Sequence, residues 1–373
     1  MLLALLVPAA GAHADDALDT QALSAQGVAG DILDAALDHC RRGEQAQAMS
    51  MFHAIRGQLE PPPAILRLID DLEATGCASQ APARGGVLRV QAGAGWDSNV
   101  SQGINARSLV LGSGDNTLEL PLDESYRPRS SAYAQASVDY SLALPAIGVN
   151  LQLAAGHRKN TREPDFDLST VSGSAGRVFE IGGVALRGQV DLAEIWLGKV
   201  HYQRTQGLAL QWARPVDDGG WLVTASATRL NYLTQPTQNA MQWDLGVLRE
   251  WRLNAATTLH AGISYQQDNA AGTRPGGDRQ GFQLQAGALL LAQGWRFRPQ
   301  ISYIHWDSRE VFAPGLIDVK RRNRLHYAAL QAEKPLSART SLVLEWRGRS
   351  ARDTVALYRY NARSLTATLA HRF

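Results

Sequence analysis

From residue 87 to the last residue, apolar and polar positions alternate with a period of two, and this one pattern excludes most folds. About 14 segments of this kind can be read, near 87–98, 131–144, 148–159, 167–179, 183–196, 201–214, 220–232, 240–252, 257–267, 279–292, 294–307, 322–335, 339–350 and 361–373. Each is roughly 10–14 residues long, about what a tilted strand needs to cross a bilayer. An even number of strands returns both ends of the sheet to one side. The pattern predicts an all-β transmembrane barrel of about 14 antiparallel strands.

The final segment, ArgSerLeuThrAlaThrLeuAlaHisArgPhe, shows the two faces clearly. Steps of two back from Phe373 reach His371, Leu369, Ala367 and Leu365, while Arg372, Ala370, Thr368, Thr366 and Ser364 form a small or polar face. The bland alternative is the last strand of a soluble sandwich. Such a strand seldom stops on its largest apolar residue, because termini fray. A terminal aromatic on the apolar face resembles the C-terminal assembly signal of bacterial outer-membrane barrels. Phe373, Leu369 and Leu365 are therefore the expected contacts for the barrel assembly machinery.

Connector lengths agree. Those after even-numbered segments are short (ProAlaIleGly, GluIleGlyGly, GlnGly, ProLeuSerAla), whereas 99–130, 268–278, 308–321 and 351–360 are long. This is the periplasmic and extracellular asymmetry of an outer-membrane barrel. The aromatics sort by strand end. Trp212, Trp221, Trp251 and Trp295 lie beside short turns, and Trp196, Tyr232, Tyr265 and Tyr303 near the other rim, as two interfacial girdles would. The polar faces predict a wet lumen of mixed charge, including Asp139, Arg187, Asp191, Asp244, Glu250, Arg296, Arg298, Glu345, Arg347 and Arg349. With strands about 4.8 Å apart and tilted by about 40°, the backbone diameter comes to about 28 Å.

The region ahead of the barrel has a different character. LeuLeuAlaLeuLeuValProAlaAlaGlyAlaHisAla is an apolar run with a small-x-small cleavage site, so residues 1–14 read as a signal peptide. The missing basic n-region leaves room for a start further upstream. No other apolar run approaches the ~18 residues of a spanning helix. Residues 15–80 read as a periplasmic helical module and 81–86 as a linker to the barrel at 87–373. Apolar stripes fall at Ile32, Ala35, Leu37 and Cys40, at Ala48, Met51, Phe52 and Ile55, and at Ile65, Leu66, Leu68, Ile69 and Leu72. The spacing Gly43, Ala48, Phe52, Ile55, Pro61 resembles one tetratricopeptide helix-turn-helix without its usual Trp and Tyr. A cap or spacer and a peptide-binding module fit this small all-α unit equally well. Cys40 and Cys77, the only cysteines, could close one disulfide in an oxidising periplasm, stabilising by ~3–4 kcal/mol.

GlyTrpAspSerAsnVal (95–100) ends the first strand, and AlaLeuTyrArgTyrAsnAlaArg (356–363) leads into the last. Both resemble the barrel domain of the surface lipoprotein assembly modifier family. The resemblance implies a 14-stranded barrel with periplasmic tetratricopeptide helices that helps a lipoprotein, or a small secreted binding protein, across the outer membrane. The helical region here is much shorter than in that family.

Other chemistry finds little support. A net charge of +2 without long basic blocks excludes an ordinary nucleic-acid binder. His157, His201, His305 and His326 lack metal-ligand spacing, and no GxSxG, HExxH, P-loop or CxxC is present, so neither an enzyme nor a cofactor is expected. Lys320, Arg321, Arg322 and Arg324 form a basic cluster at the extracellular rim, expected to meet lipopolysaccharide phosphates. Gly93 and Gly95, facing Thr366 and Thr368, mark a candidate lateral seam poor in side chains, although glycines in barrels also simply accommodate curvature. A translocation barrel, a saccharide-conducting or passive porin, and a barrel enzyme stay open, in that order.

Overall fold

The computed structural model of the protein describes residues 86–373, apart from 114–115, 145–146, 182–183, 217 and 255, together with scattered helical positions between 33 and 72. In the barrel region the strands are β1 (Val87–Asp97), β2 (Ser108–Ser113), β3 (Asn116–Pro121), β4 (Ser131–Leu144), β5 (Val149–Asn160), β6 (Leu168–Ile181), β7 (Val184–Leu197) and β8 (Val200–Val216). They continue as β9 (Gly219–Tyr232), β10 (Ala240–Asn254), β11 (Thr257–Ala270), β12 (Arg279–Ala292), β13 (Trp295–Ala313), β14 (Ile317–Pro335), β15 (Thr340–Asp353) and β16 (Tyr360–Arg372). All but β2 and β3 close into one 14-stranded antiparallel barrel, each strand beside its sequence neighbours and β1 beside β16. Closure leaves no free sheet edge, so every strand finds partners for its backbone N–H and C=O groups.

The period of two becomes two surfaces. Leu192 and Ile301 are about 60% exposed, and with Leu153, Leu208, Leu245, Trp346, Leu365 and Leu369 they form the outward band. The ladder register carries that parity from strand to strand. Trp96 pairs with Leu365 and Ala132 on the outside, while Gly95 pairs with Thr366 and Tyr133 on the inside. Short turns need special backbone. In the turn from β12 to β13, Gln293 and Gly294 both take positive φ, at 50° and 73°, which matches the twist of the flanking strands.

Three expectations are corrected. Residues 308–321 are not a loop: β13 and β14 run on as a long hairpin, turning at 314–316. The connector 98–130 contains the hairpin β2–β3. Tyr232 does not belong to a girdle. It pairs with Gln203 on the inner face and packs edge-on against Tyr202, because parity rather than position along the strand decides its side.

Ahead of the barrel, helical positions at Ala36, Ala48, Phe52, Ile69 and Leu72 form one buried cluster, against which Leu33, Leu37, Cys40, Met49 and Met51 pack. Cys40 is disulfide-bonded. Cys77, the signal segment, the turn at Gly43 and Pro61, and the 81–85 part of the linker lie outside the described residues, and a tetratricopeptide unit is not established. No described helix is long and apolar enough to cross a membrane.

Candidate functional site

The long connectors all leave from one end of the barrel, and they fold over its mouth. Their anchor is the end of β1. Asp97 accepts the backbone N–H of Asn99 at 2.8 Å through one carboxylate oxygen and Arg158 at 3.2 Å through the other. Asn99, only 2% exposed, accepts from the Gly103 N–H at 2.7 Å. Its amide nitrogen donates to the carbonyls of Gly103 and Asn361, each at 3.0 Å. Both ends of the buried Asn99 amide are thus matched, as burial requires. Ser98 and Arg363 exchange two further bonds, Ser98 N–H to Arg363 O at 2.9 Å and Arg363 N–H to Ser98 Oγ at 2.8 Å. The two stretches singled out in the sequence thus form one structure at the mouth.

Above them the lid has its own apolar core, made of Ile104, Val355, Leu357 and Tyr358, with Leu109, Leu122 and Phe312 packed against it. Gly112 N–H donates to Leu316 O at 2.8 Å, which ties the β2–β3 hairpin to the β13–β14 tip. The Arg321 guanidinium lies 3.4 Å from the centre of the Tyr358 ring, and burial pushes the Tyr358 phenol up from its ordinary value. Arg321 also donates to Asp353 at 2.8 Å. A second closure comes from the connector 271–278. Its Arg274 meets Asp268 at 2.8 Å, and Arg279 holds the other oxygen of the same carboxylate.

Beneath the lid lies a chamber of about 270 Å³. Its walls come from both sides of the barrel: Tyr133, Gln135 and Arg158 on β4 and β5, Tyr202 and Gln203 on β8, and Glu345, Arg347 and Arg349 on β15. This places Glu345, Arg347 and Arg349 in the interior. Glu345 and Arg347 form an ion pair with each other. Arg298 donates to Gln331 at 3.3 Å and to Glu333 at 3.1 Å, and Arg296 approaches Glu333 at 3.7 Å. Arg187, in register with Val178 and Gln211, lies on the inner face of β7.

Three further lumenal acids are held differently. Asp139, Asp191 and Asp244 each accept a glutamine amide, from Gln91 at 3.1 Å, Gln189 at 2.7 Å and Gln266 at 2.9 Å.

Side chains of β4 reach across the seam between β1 and β16. A Cβ on Gly95 would stand 2.5 Å from the Tyr133 ring, and the Tyr133 hydroxyl reaches Thr366 at 2.5 Å. Gln135 donates to Thr368 at 3.4 Å. Gly93 and Gly95 therefore do not leave the seam without side-chain support, since β4 supplies it from the next strand over. Tyr133 and Asp268 were not picked out in the sequence, and Arg158 was read only as facing inward. Their inner-face parity was readable, but nothing in it specified partners on other strands.

The histidines are bonded to ordinary neighbours: His157 to Ser169 at 2.9 Å, His201 to Glu194 at 2.5 Å and His305 to Asp307 at 2.8 Å. Among the described residues no group of three or more His, Cys, Asp and Glu could hold a metal.

No protein-family model matches this chain, and no curated protein matches it in sequence. Among solved structures it is similar to a FadL homologue of Pseudomonas aeruginosa, at 9% identity over 78% of this chain and 90% of that one, with a TM-score of 0.44. It is also similar to the outer membrane channel DcaP of Acinetobacter baumannii, at 10% identity over 79% and 100%, with a TM-score of 0.41. A third is an anion-selective porin from Comamonas acidovorans, at 9% identity over 77% and 98%, with a TM-score of 0.40. These are distant likenesses between barrels.

Proposed function

We propose that this chain is a bacterial outer-membrane barrel that assists the export or surface display of a client protein, a lipoprotein or a small secreted binding protein. The membrane assignment follows from the closed 14-stranded sheet and its outward apolar band, which would be costly in water and suits lipid. The side with the short turns faces the periplasm, with the helical module, and the lidded mouth faces outward.

One observation carries the client-export reading. The stretches 95–100 and 356–363, which resemble the surface lipoprotein assembly modifier family, meet through the Asn99 amide and the Asn361 carbonyl, 262 residues apart in the chain. They meet at the mouth, where a client would leave. A second reading, a channel for small polar solutes such as saccharides, is favoured by the chamber of about 270 Å³ and its Arg and Tyr lining, a space suited to a small solute.

The test is surface labelling of the secreted or lipidated protein encoded beside this chain, in cells with and without it. Surface signal that depends on the chain supports export. Unchanged signal, together with saccharide uptake by liposomes containing the purified barrel, replaces export with the channel.

A further inference from the structure

The basic cluster Lys320, Arg321, Arg322 and Arg324 does not act as one patch, because the wall of the barrel divides it. Arg321 turns inward to Asp353 and the Tyr358 ring. Arg322 is outside and is bonded to Asp307 at 2.9 Å. Arg324, also outside and exposed, has a different neighbour: its register partner is Arg352 of β15, which is exposed on the same face.

Two arginines paired directly across adjacent strands stand with their Cα atoms about 5 Å apart, and like charges so placed repel. Neither side chain forms an ion pair or hydrogen bond among the described residues. The carboxylate at this level, Asp307, is already shared by Arg322 and His305. Two outward cations at this end are each matched by a carboxylate, Arg204 by Glu194 at 2.6 Å and Arg309 by Asp278 at 3.8 Å. The pair also sits where the apolar band stops. Below it on the same face lie the exposed Ile301, Leu330 and Trp346, and beside them Tyr303 with His326 against its ring.

We propose that Arg324 and Arg352 together bind the phosphate of a lipid headgroup in the outer leaflet, with Trp346 and Leu330 below them against its acyl chains. A phosphate accepts from two guanidinium forks at once, and its charge removes the repulsion between them. The surrounding lipid supplies that group at the level where the band of apolar side chains gives way to charge. This inference uses the membrane orientation above and is independent of the transport route.

Purified full-length barrel is titrated with mixed micelles containing lipid A that keeps both phosphates, or the dephosphorylated lipid, and retained lipid is read by native mass spectrometry. R324Q/R352Q is expected to lower retention of the phosphorylated lipid roughly tenfold, the size expected for losing charge-assisted bonds. The dephosphorylated lipid should not distinguish the variant from the parent. K159Q removes an exposed outward cation on β5 and should change retention by no more than about twofold, as a lone surface charge would. Heat-modifiable mobility checks assembly, and the single variants R324Q and R352Q replace the double variant if it does not assemble. Undiminished retention in the variants, or an equal loss in K159Q, overturns the proposal. Complete displacement of the lipid by inorganic phosphate would overturn the lipid assignment by identifying a free-anion site.

Discussion

Tyr133 and Thr366 stand 233 residues apart in the chain and share a hydrogen bond of 2.5 Å across the strand that separates them. The strand between is β1, and Gly95 makes the crossing possible by having no side chain where the Tyr133 ring lies. The Arg158 guanidinium lies over the Tyr133 ring, 3.7 Å from its centre. The barrel therefore closes with a clasp on its inner surface. Y133F should lower the temperature at which the folded band is lost on a gel, in proportion to about 1 kcal/mol for one hydrogen bond. G95A should cost more, since its Cβ would meet both the Tyr133 ring and the Leu365 carbonyl at 2.5 Å. An unchanged midpoint for G95A would show that the clasp contributes nothing.

The route of a client is tested by a staple between Ala94 and Ala367, which pair on the outer face. With A94C/A367C oxidised, export at the unstapled rate excludes sideways opening of the seam and sends the client through the lumen. Export that stops on oxidation and returns on reduction assigns the route to the seam.

Orientation is read from intact cells. Cysteines placed in 99–130 and at the β13–β14 tip should react with an impermeant thiol reagent, and cysteines in 215–219 should not. The opposite pattern would invert the topology and the leaflet assigned to Arg324 and Arg352.

Asn99 is buried and holds the 98–130 connector to both Gly103 and Asn361. N99A leaves those groups unmatched, at about 1–3 kcal/mol, and should loosen the lid before it unfolds the barrel. The expected result is faster entry of bulky antibiotics with an unchanged heat-modifiable band. Unaltered entry would mean that the lid is held mainly by its apolar core around Tyr358.

Phe373 is 64% exposed, its N–H donates to Leu88 O at 2.8 Å, and its ring packs edge-on against His371. One exposed ring adds only ~1–3 kcal/mol of burial at most. Its deletion should therefore reduce the amount of assembled barrel far more than the thermal stability of what does assemble. Normal amounts in the membrane would remove Phe373 from the assembly signal.

The strand count, the closed antiparallel order, the side of each strand that faces outward and the end that carries the long connectors were all legible in the sequence. They follow from local quantities, a period of two and the lengths between periods, which need no knowledge of distant residues. Parity alone put Arg298, Glu345 and Arg349 inside and Leu365 and Leu369 outside. What needed the tertiary structure were the relations between strands. Lys320 to Arg324 reads as one basic run, yet alternation sends Arg321 to Asp353 and leaves Arg324 beside Arg352, a neighbour set only by register. Gly93 and Gly95 look like a gap, and the side chains that support it come from β4, which the chain reaches only after the long connector. The sequence determines which face a side chain takes because a strand alternates by its own geometry. Closure of the sheet decides which side chain it meets there, because partners are chosen by register between strands, and no local pattern encodes it.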